Sequence, residues 1–286
     1  MSQFFDQASL VMVPSGYKTG KVYSQKPLSA DGELTFTRAS NATRVNAGGL
    51  IEKVRTNLLL QSNTFSTTWA TTSATVTSGQ SGYDGSSDAW LLTKGNTQYQ
   101  YISQNSPVSG ICTLSVYAKA GTLSQVTLRD GVSQGRVEFN LSDGSVDDVR
   151  TENIVAYDIS SVGNDWYRCQ VSFNGIASTI QFYPDFGNTT AGNIYIQDAQ
   201  LETGDIATDY IPTTSAAVSV GPVSGLPRLD YSGGVTCPSL LLEPQRTNSV
   251  LYSEQFDNAA WTKANATVTA NATTSPDGYV NADKLV

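Results

Sequence analysis

The strongest constraint on this chain is an internal duplication. Residues 50–65, LIEKVRTNLLLQSNTF, match residues 241–256, LLEPQRTNSVLYSEQF, without a gap at a spacing of 191 (241 − 50). The match pairs Glu52 with Glu243, Arg55-Thr56-Asn57 with Arg246-Thr247-Asn248, Ser62 with Ser253 and Phe65 with Phe256. One inserted residue then brings Trp69 to Trp261 and Ala74-Thr75-Val76-Thr77 to Ala266-Thr267-Val268-Thr269, and the turn Asp84-Gly85 recurs as Asp277-Gly278. Such sustained register marks a repeated module, and a repeat has to be recognised before any single element is assigned. The first copy occupies 55–212, the stretch 213–245 reads as an extended Gly- and Pro-rich linker, and 246–286 opens a second copy. A sandwich reduced to its first strands exposes unpaired edges and half a core. The expectation is therefore that the polypeptide continues past Val286, or that a neighbouring subunit completes the second module.

The first copy reads as all-β. Cys112, Leu114, Val116 and Ala118 alternate onto one face, as do Val137, Phe139 and Leu141, and Tyr167, Cys169, Val171 and Phe173. Turn dipeptides separate these runs at Asp84-Gly85, Asp130-Gly131, Asp143-Gly144 and Gly163-Asn164. Short punctuated strands with almost no helical period predict an antiparallel β-sandwich of the jelly-roll kind. In the last run, 193–202, Ile194 and Ile196 have one parity and Ala199 and Leu201 the other, which predicts a bulge near Gln197 or Asp198. In a final strand such a bulge is expected to blunt a sheet edge.

Composition removes several functions. The chain contains no histidine, which takes away the usual general base and the commonest metal ligand and argues against an enzyme. A net charge of −8 without any basic run gives no footprint for nucleic acid or for anionic membrane. No apolar run is long enough to insert in a membrane as a helix. Cys112, Cys169 and Cys237 have neither zinc-site nor disulfide-framework spacing and read as buried thiols. Asp147-Asp148 follows a Gly-Ser turn, would point to opposite faces if extended, and reads as loop charge, not as the carboxylate couple of a glycosidase.

Sugar recognition needs aromatic faces beside amide, carboxylate or guanidinium groups. Trp90, Tyr99, Tyr101, Trp166, Tyr183 and Tyr195, with Arg129 and Arg168, are the available material, and Trp166 with Arg168 on one outward face is the leading pair. The recurring module-opening residues Arg55, Asn57, Phe65 and Trp69, repeated as Arg246, Asn248, Phe256 and Trp261, read as structural: ring keystones of the core and side chains that bond backbone groups of a turn.

The ordered motifs FTRASNATRVNAGGLIE, RTN, SNTF, SVYAKAG, NDWYRC, IYIQDAQLETGDIATDYIPT, GLPRLDY and CPSLLLEPQRTN span nearly the whole chain and resemble modular head- and tail-fibre proteins of tailed bacteriophages. The repeats of those proteins look like carbohydrate-binding-module jelly rolls. The resemblance implies a non-enzymatic virion component, assembled in the cytoplasm of a bacterial host. Residues 1–54 would then serve attachment to head or tail and oligomerisation, with modules displayed outward. It further implies a homo-oligomer, most often a trimer, with other virion proteins as partners. Host-glycan adhesion and a polysaccharide-depolymerising tailspike are the alternatives. Jelly rolls of this type often carry a structural calcium, to which Asp198 and Glu202, near the expected bulge, would contribute oxygen ligands.

Overall fold

The alternating apolar runs of the first copy become two antiparallel sheets packed face to face. The structure, a computed structural model, describes residues 3–176, 179–232, 238–244 and 246–286. These fall into two compact units, 55–219 and 1–54 with 220–286. The sandwich strands are β1 (Ala70–Thr72), β2 (Ala74–Gln80), β3 (Ala89–Lys94), β4 (Tyr101–Asn105), β5 (Val108–Ala120), β6 (Gln125–Asp130), β7 (Arg136–Asn140), β8 (Ser145–Arg150), β9 (Ile154–Gly163), β10 (Trp166–Ile176), β11 (Thr179–Pro184) and β12 (Gly192–Thr203). The first sheet has the order β8-β7-β6-β11-β4-β1 and the second β9-β10-β5-β12-β3-β2.

Every inward parity read from the sequence points into the space between the sheets. Ile102, Val126, Leu128, Val137, Phe139, Ile180 and Phe182 come from the first sheet, and Leu92, Cys112, Leu114, Val116, Ala118, Cys169, Val171 and Phe173 from the second. Full burial of one such side chain contributes about 1.5–3 kcal/mol. Burial also pushes the Cys169 thiol well up. Cys237 lies outside the described residues.

The predicted bulge is present. Opposite β5, Ser115 pairs with Gln200 and Tyr117 with Gln197, so Asp198 and Ala199 together face the single residue Val116. Asp198 takes the left-handed backbone conformation, φ 54°. The extra residue restores phase, and Ile194, Ile196, Ala199 and Leu201 all reach the core. Its setting differs from expectation: β12 lies between β5 and β3 in the interior of its sheet, so the bulge protects no edge.

The other unit is built from short hairpins. Strands Val11–Lys18, Lys21–Lys26 and Leu34–Thr35 form one small sheet, and Val268–Thr274 pairs with Val280–Leu285. Among its described residues the buried apolar side chains are Val22, Pro222, Pro227 and Leu229. Arg38 supports the unit through the carbonyls of Ser40, Pro222, Val223 and Leu226.

The duplicated segment folds the same way twice. Phe65 and Trp69 have ring centroids 5.1 Å apart at 57°, and Phe256 and Trp261 lie 5.0 Å apart at 53°. Trp69 Nε1 donates to Gln61 O at 3.1 Å, and Trp261 Nε1 to Tyr252 O at 2.9 Å. Gln61 and Tyr252, equivalent in the alignment, are both left-handed, at φ 50° and 52°. The following hairpins share a register too: Val76 pairs with Leu92 and Thr77 with Leu91, as Val268 does with Leu285 and Thr269 with Lys284. The surroundings differ: Phe65 is wholly buried, whereas Phe256 is 43% exposed.

Candidate functional site

What covers the outer face of each sheet decides where a ligand can sit. On the second sheet the chain leaving β12 turns back across the strands. Thr113 Oγ1 donates to Gly204 O and Ser172 Oγ to Asp205 O, each at 2.9 Å, and Gln200 Oε1 accepts from Ile211 N at 2.6 Å. Tyr83, from the loop after β2, stacks flat on Tyr117 with centroids 4.0 Å apart at 9°, and Trp166 meets Tyr83 edge-on at 6.2 Å.

Trp166 is consequently only 2% exposed. Arg168 lies with its guanidinium over Tyr117, 5.4 Å from the ring centroid, and donates to Ser115 Oγ and to Thr208 O. The two residues share the outward face, as their parity required, but the returning chain and Tyr83 cover it. The exposed Trp166 and Arg168 platform expected from the sequence is therefore corrected to a packed layer. Trp90 likewise belongs to the core, with Nε1 donating to Asn63 O.

Asp198 and Glu202 are also engaged on this side. Glu202 accepts from Thr208 N at 2.9 Å, from Thr208 Oγ1 and from Gln200 Nε2 at 2.6 Å, a clasp on the returning chain. Asp198 Oδ2 accepts from Tyr83 OH at 2.9 Å. Burial pushes the Asp198 carboxyl up to about 6, opposed by the Tyr83 hydrogen bond and assisted by the charge of Asp88. The same burial and the Asp198 charge push the hydroxyls of Tyr83 and Tyr210 upward. Among the described residues, no group of three or more carboxylate or thiol side chains is arranged to hold a metal ion.

The module-opening residues form a staple. Asn57 is completely buried and uses its full capacity: Nδ2 donates to Ala199 O and Ile211 O, while Oδ1 accepts from Leu59 N and Leu201 N. Arg55 Nη1 lies 3.8 Å from Asp209 Oδ2. Phe65 and Trp69 sit in the core, Trp69 stacked on Phe182 at 5.4 Å. In the second copy Asn248 Oδ1 accepts from Val250 N, repeating the Leu59 bond, and Arg246 is exposed.

The outer face of the first sheet carries the polar and aromatic groups that sugar recognition requires. Tyr101 and Tyr183 lie 4.7 Å apart, Tyr183 and Phe186 4.9 Å, and Phe186 and Tyr99 5.2 Å, a continuous aromatic strip in which Tyr183 is buried and supports the other three rings. Tyr99 is 51% exposed and left-handed at φ 57°. A bulky side chain rarely adopts that conformation, and such strain concentrates at functional positions. Beside the strip runs β6, whose outward side chains Gln125, Thr127 and Arg129 each hold a buried polar atom without a hydrogen-bond partner among the described residues: Gln125 Oε1, Thr127 Oγ1 and Arg129 Nε. Arg129 Nη1 donates to Gln181 Oε1 at 2.7 Å and to Tyr183 OH at 2.9 Å.

Asp147 and Asp148 belong to this face as well. They lie on β8, not in a loop, and the register shift opposite Glu138 and Phe139 brings both outward. Asp147 accepts from Asn140 and Gln125, and Asp148 from Arg136 at 2.8 Å. Of the sequence candidates, the structure thus gathers Tyr99, Tyr101, Tyr183 and Arg129, and adds Phe186, Arg136 and Thr127.

No protein-family model matches the chain, and no curated protein matches its sequence. Among solved structures, it is similar to the CBM22-2 xylan-binding domain from Paenibacillus barcinonensis Xyn10C at 11% identity and a TM-score of 0.33, covering 52% of this chain and 98% of that one. The CBM22-1 xylan-binding domain of the same protein matches at 10% identity and a TM-score of 0.32, covering 53% and 94%. The enzymatically active domain of bacteriophage CBA120 tailspike protein 4 matches at 18% identity and a TM-score of 0.33, over 52% of this chain and 21% of that one. The chain therefore spans about a fifth of the tailspike domain's length.

Proposed function

We propose that the complete sandwich holds a polysaccharide on the outer face of its first sheet, as one module of a repeating fibre in a tailed-phage virion. The half-exposed Tyr99, with Phe186 packed beside it, supports the binding reading most directly. Gln125 and Arg129, partly exposed on the outward side of β6, add polar groups that can meet sugar hydroxyls directly or through ordered water. The strip Tyr99, Phe186 and Tyr101 supplies apolar surface for sugar C–H groups alongside them. The fibre reading is supported by the duplicated module and by the order of motifs along the chain. Many weak sites on one particle bind with avidity, so each need only be modest.

In this reading the module holds its ligand and does not cut it, and its copies assemble as a homo-oligomer on head or tail. Affinity electrophoresis of the full chain against a panel of bacterial and plant polysaccharides tests the binding. Retardation by at least one polymer, reduced about tenfold or more in Tyr99→Ala, is the expected result. Retardation by none, or retention of full binding in Tyr99→Ala, removes the site. Release of reducing ends from the bound polymer would favour a depolymerase. Detection of the protein by mass spectrometry of purified phage particles tests the virion assignment.

A further inference from the structure

The first sheet's outer face contains an arrangement that β-sheets ordinarily avoid. In register across three strands, Arg129 of β6 lies opposite Arg136 of β7, which lies opposite Arg150 of β8. Like charges directly opposite one another are destabilising, so such a row needs compensation. Two of the three have it. Arg136 bonds Glu138 at 2.7 Å and Asp148 at 2.8 Å, and Arg150 bonds Glu152 at 2.6 Å. Arg129 has neutral partners, Gln181 and Tyr183, and among the described residues no carboxylate lies within ion-pair distance of it.

The Arg129 site is partly closed from water. Its guanidinium lies 5.8 Å from the Phe186 centroid and 5.9 Å from that of Tyr183, and the Arg136 guanidinium lies 4.5 Å from the Phe186 centroid. A half-buried guanidinium beside aromatic rings, hydrogen-bonded to neutral Gln181 and Tyr183, is a cation with no carboxylate at ion-pair distance among the described residues.

Resting on the polysaccharide-binding reading above, we infer that the bound polymer is acidic and that Arg129 takes the carboxylate of one of its sugar residues. The aromatic strip seats the ring that bears it, and Arg136, held by Glu138 and Asp148, lines the same position without surrendering its own partners.

The test compares the full chain with uronate- and sialate-containing polysaccharides, with neutral xylan and glucan, and with carboxyl-reduced forms of the acidic polymers, by isothermal titration and affinity electrophoresis. Expected is binding of at least one acidic polymer that falls about tenfold or more on carboxyl reduction and weakens as NaCl rises from about 0.05 to about 0.5 M. Arg129→Gln should lose the preference for the acidic form while leaving the circular dichroism spectrum unchanged, and Arg129→Lys should keep part of it. If Arg129→Gln does not fold, the comparison of each polymer with its carboxyl-reduced form on the wild-type chain still decides. Equal binding of reduced and unreduced polymer, or binding of neutral polymers alone, overturns this inference while sustaining the polysaccharide site. Binding of no polymer overturns both.

Discussion

Asn57→Ala should be among the most damaging single substitutions in the sandwich, although it removes only a small polar side chain. The deletion strands four backbone groups at once: the N–H of Leu59 and Leu201 and the carbonyls of Ala199 and Ile211. Each buried group left without a partner costs about 1–3 kcal/mol. Water entering the small cavity recovers part of this, so the net loss is about 3–5 kcal/mol. For a unit of this size each kcal/mol lowers Tm by about 2–4 °C, giving a drop of about 6–20 °C. Scanning calorimetry of the full chain measures it. The matching substitution in the second copy, Asn248→Ala, removes a single bond to Val250 N at an exposed position and should cost less than about 0.5 kcal/mol. An Asn57→Ala chain that melts within about 2 °C of wild type, or equal effects at the two sites, would refute the argument that Asn57 ties the module's beginning to its end.

Three further outcomes can be checked. Asp198, raised from its ordinary 3.8 to about 6, contributes stability that is present below pH 3.8 and lost as pH rises through about 6; Asp198→Asn should flatten this dependence in urea titrations and stabilise the protein at pH 7 by about 1–3 kcal/mol. Gly144 is left-handed at φ 75°, and a Cβ there would lie 2.6 Å from Tyr167 Cε1, so Gly144→Ala should cost about 1–3 kcal/mol in the same titration. Trp166→Ala should destabilise by about 3–5 kcal/mol yet leave polysaccharide affinity of the folded protein unchanged; a selective loss of affinity would return the site to the second sheet.

Much of the fold was legible in the sequence because parity along a strand is a local property. The inward faces of β5, β7 and β10 follow from alternation alone, and the parity switch between Ile196 and Ala199 located the bulge. Which strands become neighbours is not local. Nothing in residues 193–202 says that β12 will be enclosed between β5 and β3, so the bulge was assigned to an edge. The candidate site failed to emerge for the same reason. Trp166 and Arg129 are both outward by parity, but they lie on opposite sheets, and only the chain returning from β12 decides which outward face is covered. The row of arginines is likewise invisible in sequence, where Arg129, Arg136 and Arg150 are scattered; strand register alone sets them side by side.

The doubled ring pair has a consequence for how the chain reaches its structure. Phe256 and Trp261 adopt nearly the same geometry as Phe65 and Trp69 although the buried packing partners differ, so the arrangement is written into the short segment that contains it. Its contacts span few residues, Trp261 reaching back only to the carbonyl of Tyr252, and contacts of that kind form well before long-range strand pairing. Each copy thus carries its own early-forming seed. Near-identical seeds along one polypeptide also create a hazard: a strand of one copy can be captured by the seed of another before its own module closes, the misassembly to which repeat proteins are prone.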